Sequence, residues 1–360
     1  MHMSDICRQG RVEPDRWVLA TVILAEGHVY RKQGSAMLLG CDGRSHGHLS
    51  PGCIENDLLE RTGMVLQSGC WEIATYDMRP TDDFSWGENV GCGGLLHILL
   101  EPVSGLLAKV MTAMEQHLSA GHEVVLTRHF DEAGLGYSIS IQADDVKGAA
   151  YFAPADNTVT KGQPAWLGRS RPSSSMRERL LARKSQDAVS SGQPFTQLFR
   201  PKSRLIILGA GPDAIPVAAL ADSAHFHVII ADWRGGLLRQ EDFPGADLVE
   251  GFPAELLPKL NLRHDDYLLI MSHQFHRERE FLGLVAGCRL SYLGIMGTRE
   301  RTARLLQGLP HPGSHLHSPV GLSIGADGPE EIAISIAAEL MQTRRELQQK
   351  REHSLQSQAL

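Results

Sequence analysis

The stretch SRLIILGAGPDAIPVAALADSAHFHVIIAD, Ser203–Asp232, decides the fold of the second half of the chain. An apolar run, Leu205–Leu208, enters a turn carrying Gly209 and Gly211. A helical pattern follows, then a second apolar run, Val228–Ala231, and then Asp232. This is the strand, glycine turn, helix, strand and acid order of a dinucleotide-binding βαβ unit. Gly209 permits a sharp turn, Gly211 permits a close approach to phosphate, and Ala214 takes the third, packing position. The start of the following helix offers N–H groups and a positive dipole end. Asp232 falls about 20 residues on, where an acid can bind a ribose hydroxyl. Pro212 removes an N–H close to the helix start. A unit of this kind can also keep its turn for folding reasons alone.

Working outward, the residues beyond this unit continue to alternate strand and helix. Asp247–Glu250, Tyr267–Ser272 and Tyr292–Met296 read as strands with helical segments between them. Pro329 marks the start of a last helix whose apolar face is Ile332, Ala333, Ile336, Ala337 and Leu340. After Arg344 the chain is polar and reads as a frayed helix or disordered tail. Residues 202–345 are therefore expected to form a Rossmann-like, doubly wound parallel sheet, with 346–360 as tail.

The first half alternates short apolar runs with glycine-rich turns. Trp17–Leu24, Ala36–Leu39, Trp71–Tyr76, Leu95–Leu100 and Val124–Arg128 read as strands, and Ile54–Thr62 as a helix. Leu107, Val110, Met111, Met114 and Leu118 share one helical face, which predicts an amphipathic helix over Ser104–Ser119 with Ser104 as N-cap. The expectation for residues 1–165 is a mixed α/β domain built on a mixed sheet with helices. Residues 166–201 are rich in Ser, Pro and basic residues and read as a linker, with one short helix at Met176–Lys184.

Composition narrows the function classes. The 360 residues suffice for two ordinary domains, and 42% hydrophobic with 21% charged content reads as a soluble globular chain. A net charge of −7 argues against a broad nucleic-acid surface. No apolar segment approaches the roughly 20 residues that span a membrane. The first residues, MHMSDICRQGRVEPD, lack the basic-then-apolar order of a secretory signal. Six cysteines without a CxxC pair do not make a disulfide scaffold, so a reducing cytoplasm is the expected compartment.

Two of those cysteines sit in glycine-rich turns: Cys53, with Glu55, in SPGCIEND, and Cys92, before Gly93 and Gly94, in GENVGCGG. Glycines there free local N–H groups toward a ligand and leave the sulfur accessible. Such a thiol is a candidate soft ligand or sulfur carrier. The alternative is that both are small buried residues at tight turns. His273 and His276 follow a strand end, where sites of α/β sheets gather. Each is a candidate ligand contact or, equally, a strand-end or capping residue. Arg299 and Arg301 follow the YLGIMG strand, where an arginine can clamp phosphate or be an ordinary exposed first-turn residue. His46 and His48, and His311, His315 and His317, are read as loop histidines, because no cysteine or acid spacing completes a tetrahedral zinc set. No G-x-S-x-G elbow or serine-centred triad is present.

Taken together, several blocks resemble the XdhC/CoxI family of molybdenum-hydroxylase maturation factors. They are LATVILAEGHVYRKQGSAMLL, HLSPGCIEND, Tyr76-Asp77, VGCGGLLHILLEP, LIILGAGPDAIPVAALA, IMSHQFHREREFL, YLGIMGTRERTARL and SPVGLSIGADGPEEIAISIAAEL. They run through nearly the whole chain in the family's order. The resemblance implies a cytoplasmic accessory protein that binds molybdenum cofactor (molybdopterin), assists its sulfuration with a cysteine desulfurase, and delivers it to xanthine dehydrogenase or a related molybdenum hydroxylase. It also implies a homodimer. Two departures stand out. Pro51 replaces a glycine of the family's S-G-G-C turn, and Arg31, Lys32, Gln33, Gly34 and Ser35 stand where the family usually reads R-x-P-G-A.

On this reading the cofactor's phosphate, or an attached nucleotide, suits the Gly209–Gly211 turn, and its oxo-metal end suits the Cys53 and Cys92 turns, in a site expected between the two domains. Cys92 is the expected metal contact or sulfur carrier. Cys53, Glu55, Gly93, Gly94, Gly209, Gly211, Asp232, His273 and Arg299 complete the expected cofactor-binding set. The competing readings are an NAD(P)-dependent oxidoreductase using Asp232 on the ribose, with Arg234 leaving NAD or NADP open, and a nucleotide-binding sensor or scaffold.

Overall fold

The computed structural model describes residues 1–79, 93–131, 134–143, 146–152, 159–161 and 194–358. The chain divides into two compact units, Met1–Pro201 and Lys202–Leu360.

The first unit begins with α1 (Met3–Val12), β1 (Trp17–Gly27), β2 (Ala36–Gly40), β3 (Ser45–His46), α2 (Glu55–Ser68), β4 (Glu72–Asp77), β5 (Gly94–Pro102) and α3 (Gly105–Ser119). It continues with β6 (Glu123–Asp131), β7 (Gly134–Ala143), β8 (Val146–Phe152), β9 (Val159–Lys161) and β10 (Phe195–Phe199). These strands form two five-stranded sheets, ordered β3-β2-β1-β5-β4 and β10-β6-β7-β8-β9, and every pair is antiparallel. The α/β class is as expected. The single mixed sheet is not, because apolar runs mark strands without saying which strands pair.

Burial explains why β1 and β5 read as unbroken apolar runs. Leu96, Ile98 and Leu100 of β5 pack with Val18, Ala20 and Val22 of β1 and with Leu58 and Val65 of α2. On the other face, Leu99 packs with Leu19 and Ile23, the α1 residues Met3 and Ile6, the apolar stripe of α3, and Leu126, Tyr137 and Ile139 of the second sheet. A sheet covered on both faces has no solvent side to impose alternation. Ser104 does sit at the N-cap of α3, but its side chain makes no capping bond. Residues 195–199, read from sequence as linker, are an edge strand pairing Phe195–Phe199 with Arg128–Val124. The short helix expected at Met176–Lys184 lies outside the described residues.

The second unit contains β11 (Ser203–Leu208), α4 (Ala214–Ser223), β12 (Phe226–Asp232), β13 (Asp247–Glu250), α5 (Pro253–Leu260), β14 (Tyr267–Ile270), α6 (Phe275–Val285), β15 (Tyr292–Ile295), α7 (Arg299–Leu306), β16 (Leu316–His317) and α8 (Gly328–Gln358). Its sheet is wholly parallel with strand order β13-β12-β11-β14-β15-β16. Helices α4 and α8 cover one face through Val217, Ala218, Ala333, Ile336 and Leu340. Helices α5, α6 and α7 cover the other through Leu256, Phe281, Leu282 and Leu305. The expected doubly wound Rossmann-like sheet is present. The last helix continues to Gln358, past the point where the sequence turns polar. Among the described residues no helix is long and apolar enough to cross a membrane.

The strand order reverses between β11 and β14. In sheets of this kind ligands bind at the carboxyl ends of the strands beside that reversal. The loops there are Gly209–Asp213 and Met271–Gln274.

Candidate functional site

At the strand reversal, Gly209 adopts a left-handed φ of 124°. A Cβ on it would lie 2.6 Å from the Ser272 backbone, so the close approach that requires glycine is to the neighbouring strand end. Gly211 has no such constraint on φ, and a Cβ there would meet the Asp213 carboxylate at 2.8 Å. Ala214 is fully buried, as its packing position demands.

Asp232 ends β12 with no exposed surface. Its Oδ2 accepts the Ala210 N–H at 2.8 Å, and its Oδ1 accepts the Arg234 N–H at 2.8 Å. The Arg234 guanidinium grips both oxygens, through Nε at 3.0 Å and Nη2 at 2.8 Å. Burial pushes this carboxyl up, but the Arg234 side chain and the two backbone donors outweigh it and hold it below the ordinary value of 3.8. Arg234 also lies over the Trp233 ring, 4.8 Å from its centroid. The carboxylate expected to bind a ribose is thus already saturated by donors of its own chain.

His273 follows β14 with a φ of 59°, unusual for a residue bearing a side chain. Its Nε2 lies 2.6 Å from Asp213 Oδ2, which links the loop after β14 to the turn after β11. Next to it, Ser272 donates to the buried Glu278 at 3.0 Å, and Glu278 accepts from Arg301, whose Nη1 also bonds the Met296 carbonyl at 3.2 Å. Arg301 therefore braces α6 against α7. Arg299 is exposed at the start of α7, and His276 is exposed with its ring edge-on to Phe275. Asp213 was not singled out from sequence. The signal was present, as an acid inside the GAGPDA turn.

In the first unit, the expected Cys53 turn is built around Ser50. The Ser50 N–H donates to Glu55 Oε1 at 2.7 Å, and its hydroxyl donates to Glu55 Oε2. That hydroxyl in turn accepts the Gly52 N–H at 3.0 Å. Burial pushes the Glu55 carboxyl up, and the Ser50 hydroxyl and N–H pull it further down, so the net direction is below 4.5. Glu55 is thus spent on folding the loop that leads into α2. Gly52 has a φ of 120° and open space where a Cβ would stand. The Cys53 thiol is half-buried and free. Cys7 differs. It is fully buried, and burial with the nearby Glu115 pushes its thiol up to about 12, which makes it an inert core residue.

Cys92 lies outside the described residues. Of its neighbours, Gly93 is exposed with open space around it, and Gly94 is packed against Val29 and the Glu26 carbonyl where β5 begins. Two of the histidines read as loop residues lie in strands instead, because short edge strands leave no apolar run to read: His46 ends β3 with its ring on Trp17, and His317 ends β16, stacked on Tyr292 and paired with Glu339 at 3.1 Å. Among the described residues no group of three or more metal-ligating side chains converges.

Comparison with known proteins places these features in a family. Residues 11–77 match the XdhC and CoxI family, and residues 205–340 match the XdhC Rossmann domain. A Bacillus subtilis protein, named as a probable subunit of xanthine dehydrogenase, is 33% identical over 329 residues, 91% of this chain and 93% of that protein. An uncharacterized Escherichia coli protein, YqeB, is 31% identical over 178 residues, 46% of this chain and 32% of its own length. A Bacillus halodurans crystal structure described as a xanthine dehydrogenase superposes with a TM-score of 0.76 at 35% identity, covering 96% of both chains. The chain belongs to the XdhC and CoxI family.

Proposed function

We propose that this protein carries molybdenum cofactor during sulfuration and hands it to a molybdenum hydroxylase of the xanthine dehydrogenase type. Family membership and the xanthine dehydrogenase naming of two relatives support the client class. The observation that carries the chemistry is the free, half-buried Cys53 thiol in a turn whose Gly52 leaves open space and whose backbone is held by Ser50 and Glu55. A soft sulfur donor, half-buried against the apolar core beside the exposed Gly52, suits an oxo-metal dithiolene. Cys92, beside the exposed Gly93, is the second thiol of the assignment and the metal contact. The cofactor supplies the molybdenum centre, while the chain binds it, shields it and offers a thiol. A cysteine desulfurase is the proposed source of the sulfur.

The test is anaerobic gel filtration after incubation with isolated cofactor, counting molybdenum per chain by mass spectrometry. Near-stoichiometric molybdenum is expected with the protein and should be lost in Cys92→Ala. No retained molybdenum in any redox state overturns cofactor carriage.

A further inference from the structure

The fold of the second unit is one that commonly holds a dinucleotide, and its glycine turn and acid are in register for that role. The side chains present do not fit it. The N–H groups that would cradle a diphosphate are largely spent. Gly209 donates to the Ala231 carbonyl, Ala210 to Asp232, Ala214 to the Gly211 carbonyl and Ile215 to the Pro212 carbonyl. Pro212 has none to give. At most the Gly211 and Asp213 N–H groups are left. The ribose acid, Asp232, is fully buried and saturated by Arg234 and Ala210.

Asp213 adds an opposing charge. It occupies the N-cap position of α4, where the positive helix end would meet a phosphate, and its Oδ1 approaches the Cβ position of Gly211 to 2.8 Å. His273, from the far side of the strand reversal, bonds its Oδ2 at 2.6 Å. The carboxylate thus already sits beside the turn, held through Oδ2 by His273 and making no capping bond of its own, at the end of α4 where the helix potential favours an anion.

We propose that Asp213 is a specificity-determining residue that, tethered by His273, keeps the diphosphate of a dinucleotide off the Gly209–Gly211 turn. An anion brought to this turn meets a like charge that His273 tethers beside it, the arrangement by which binding sites reject wrong partners. The inference bears on NAD(P) and related dinucleotides, and it does not depend on the molybdenum reading.

The test is equilibrium binding of NADH to the full chain, followed by its fluorescence. The wild-type protein is expected to show no saturation up to about 1 mM, the weak-binding limit near 4 kcal/mol. Asp213→Asn, close to isosteric, and Asp213→Ser, which removes the charge with a shorter side chain and breaks no capping bond, should each tighten NADH binding by about tenfold or more. Circular dichroism melts establish that both variants fold. Saturable wild-type binding at micromolar NADH overturns the proposal, as does unchanged affinity in both folded variants. Molybdenum carriage by the same variants should equal that of wild type, so a failure of either proposal is visible without the other.

Discussion

The Arg128 guanidinium and the Glu101 carboxylate meet between the two antiparallel sheets of the first unit, 2.9 Å apart, with no exposed surface on either side chain. Tyr137 donates to Glu101 Oε1 at 2.8 Å, and Arg128 donates to Gln197 Oε1 at 2.8 Å. Gln197 passes the connection on to the Gly34 carbonyl at 3.0 Å, which pins the β1–β2 loop to the edge strand β10. Arg128→Met leaves Glu101 as an uncompensated buried charge and should lower the unfolding free energy by about 3–5 kcal/mol. Replacing both partners, Arg128→Met with Glu101→Leu, should recover most of that loss. Urea melts of the single and double variants check this. A single variant costing under about 1 kcal/mol would contradict the reading of the pair as a closed buried network.

The two glycines of the β11 turn should respond differently to alanine. Gly209→Ala drives a Cβ into the Ser272 backbone at 2.6 Å and forces a φ of 124° on a residue with a side chain. It should destabilise the second unit by more than about 2 kcal/mol. Gly211→Ala meets only the Asp213 side chain, which yields at the expense of its one exposed bond to His273, and should cost about 1 kcal/mol or less. Thermal melts compare them, and equal losses would show that the backbone approach is not what requires glycine at position 209.

His97 gives the first unit a pH dependence of known sign. It is 3% exposed on β5, and its Nε2 has no hydrogen-bond partner among the described residues. Burial holds its pKa below 6.5, against the opposing pull of Glu26 and Asp77. The unfolded chain therefore takes up this proton more readily than the folded one. The stability His97 contributes is complete above about pH 6.5 and is lost as the pH falls toward its lowered folded value. His97→Leu should flatten the decline in urea midpoint between about pH 7 and pH 5 and leave no orphaned buried nitrogen. A variant whose midpoint falls as steeply as wild type over that range would assign the dependence to other groups.

The parts of the fold that could be read in advance are those whose signals lie close together in the chain. The β11–α4–β12 unit is written within thirty residues, Ser203–Asp232, as a change of apolar period around two glycines. The α3 stripe of Leu107, Val110, Met111, Met114 and Leu118 is likewise local, and all five residues are buried. Helix α1 and strands β7–β10 were not anticipated. In β7, Ser138 and Ser140 interrupt the apolar residues, and the whole of β10 lies in what composition marks as linker. The candidate site was legible at its glycines and at Asp232, and the Cys53 turn was legible as a turn. That Glu55 serves Ser50 and that Arg301 serves Glu278 was not, because a side chain's partner is not encoded in its type.

In the second unit, local pattern was enough to place strands β11–β15 and the start of the last helix, and to put Gly209, Asp232, His273 and Arg299 at the carboxyl ends of a parallel sheet, whereas β16 and the reach of α8 to Gln358 were not legible. Periodicity and turn chemistry act over a few residues and can be read in one dimension. Pairing and packing, by contrast, set the two antiparallel sheets of the first unit, brought Arg128 to Glu101 from 27 residues away, and let His273 reach back 60 residues to hold Asp213 beside the glycine turn. Those contacts depend on strand pairing and crossing order, which bring distant residues to the same edge, and so the character of the turn emerged only once the sheet was assembled.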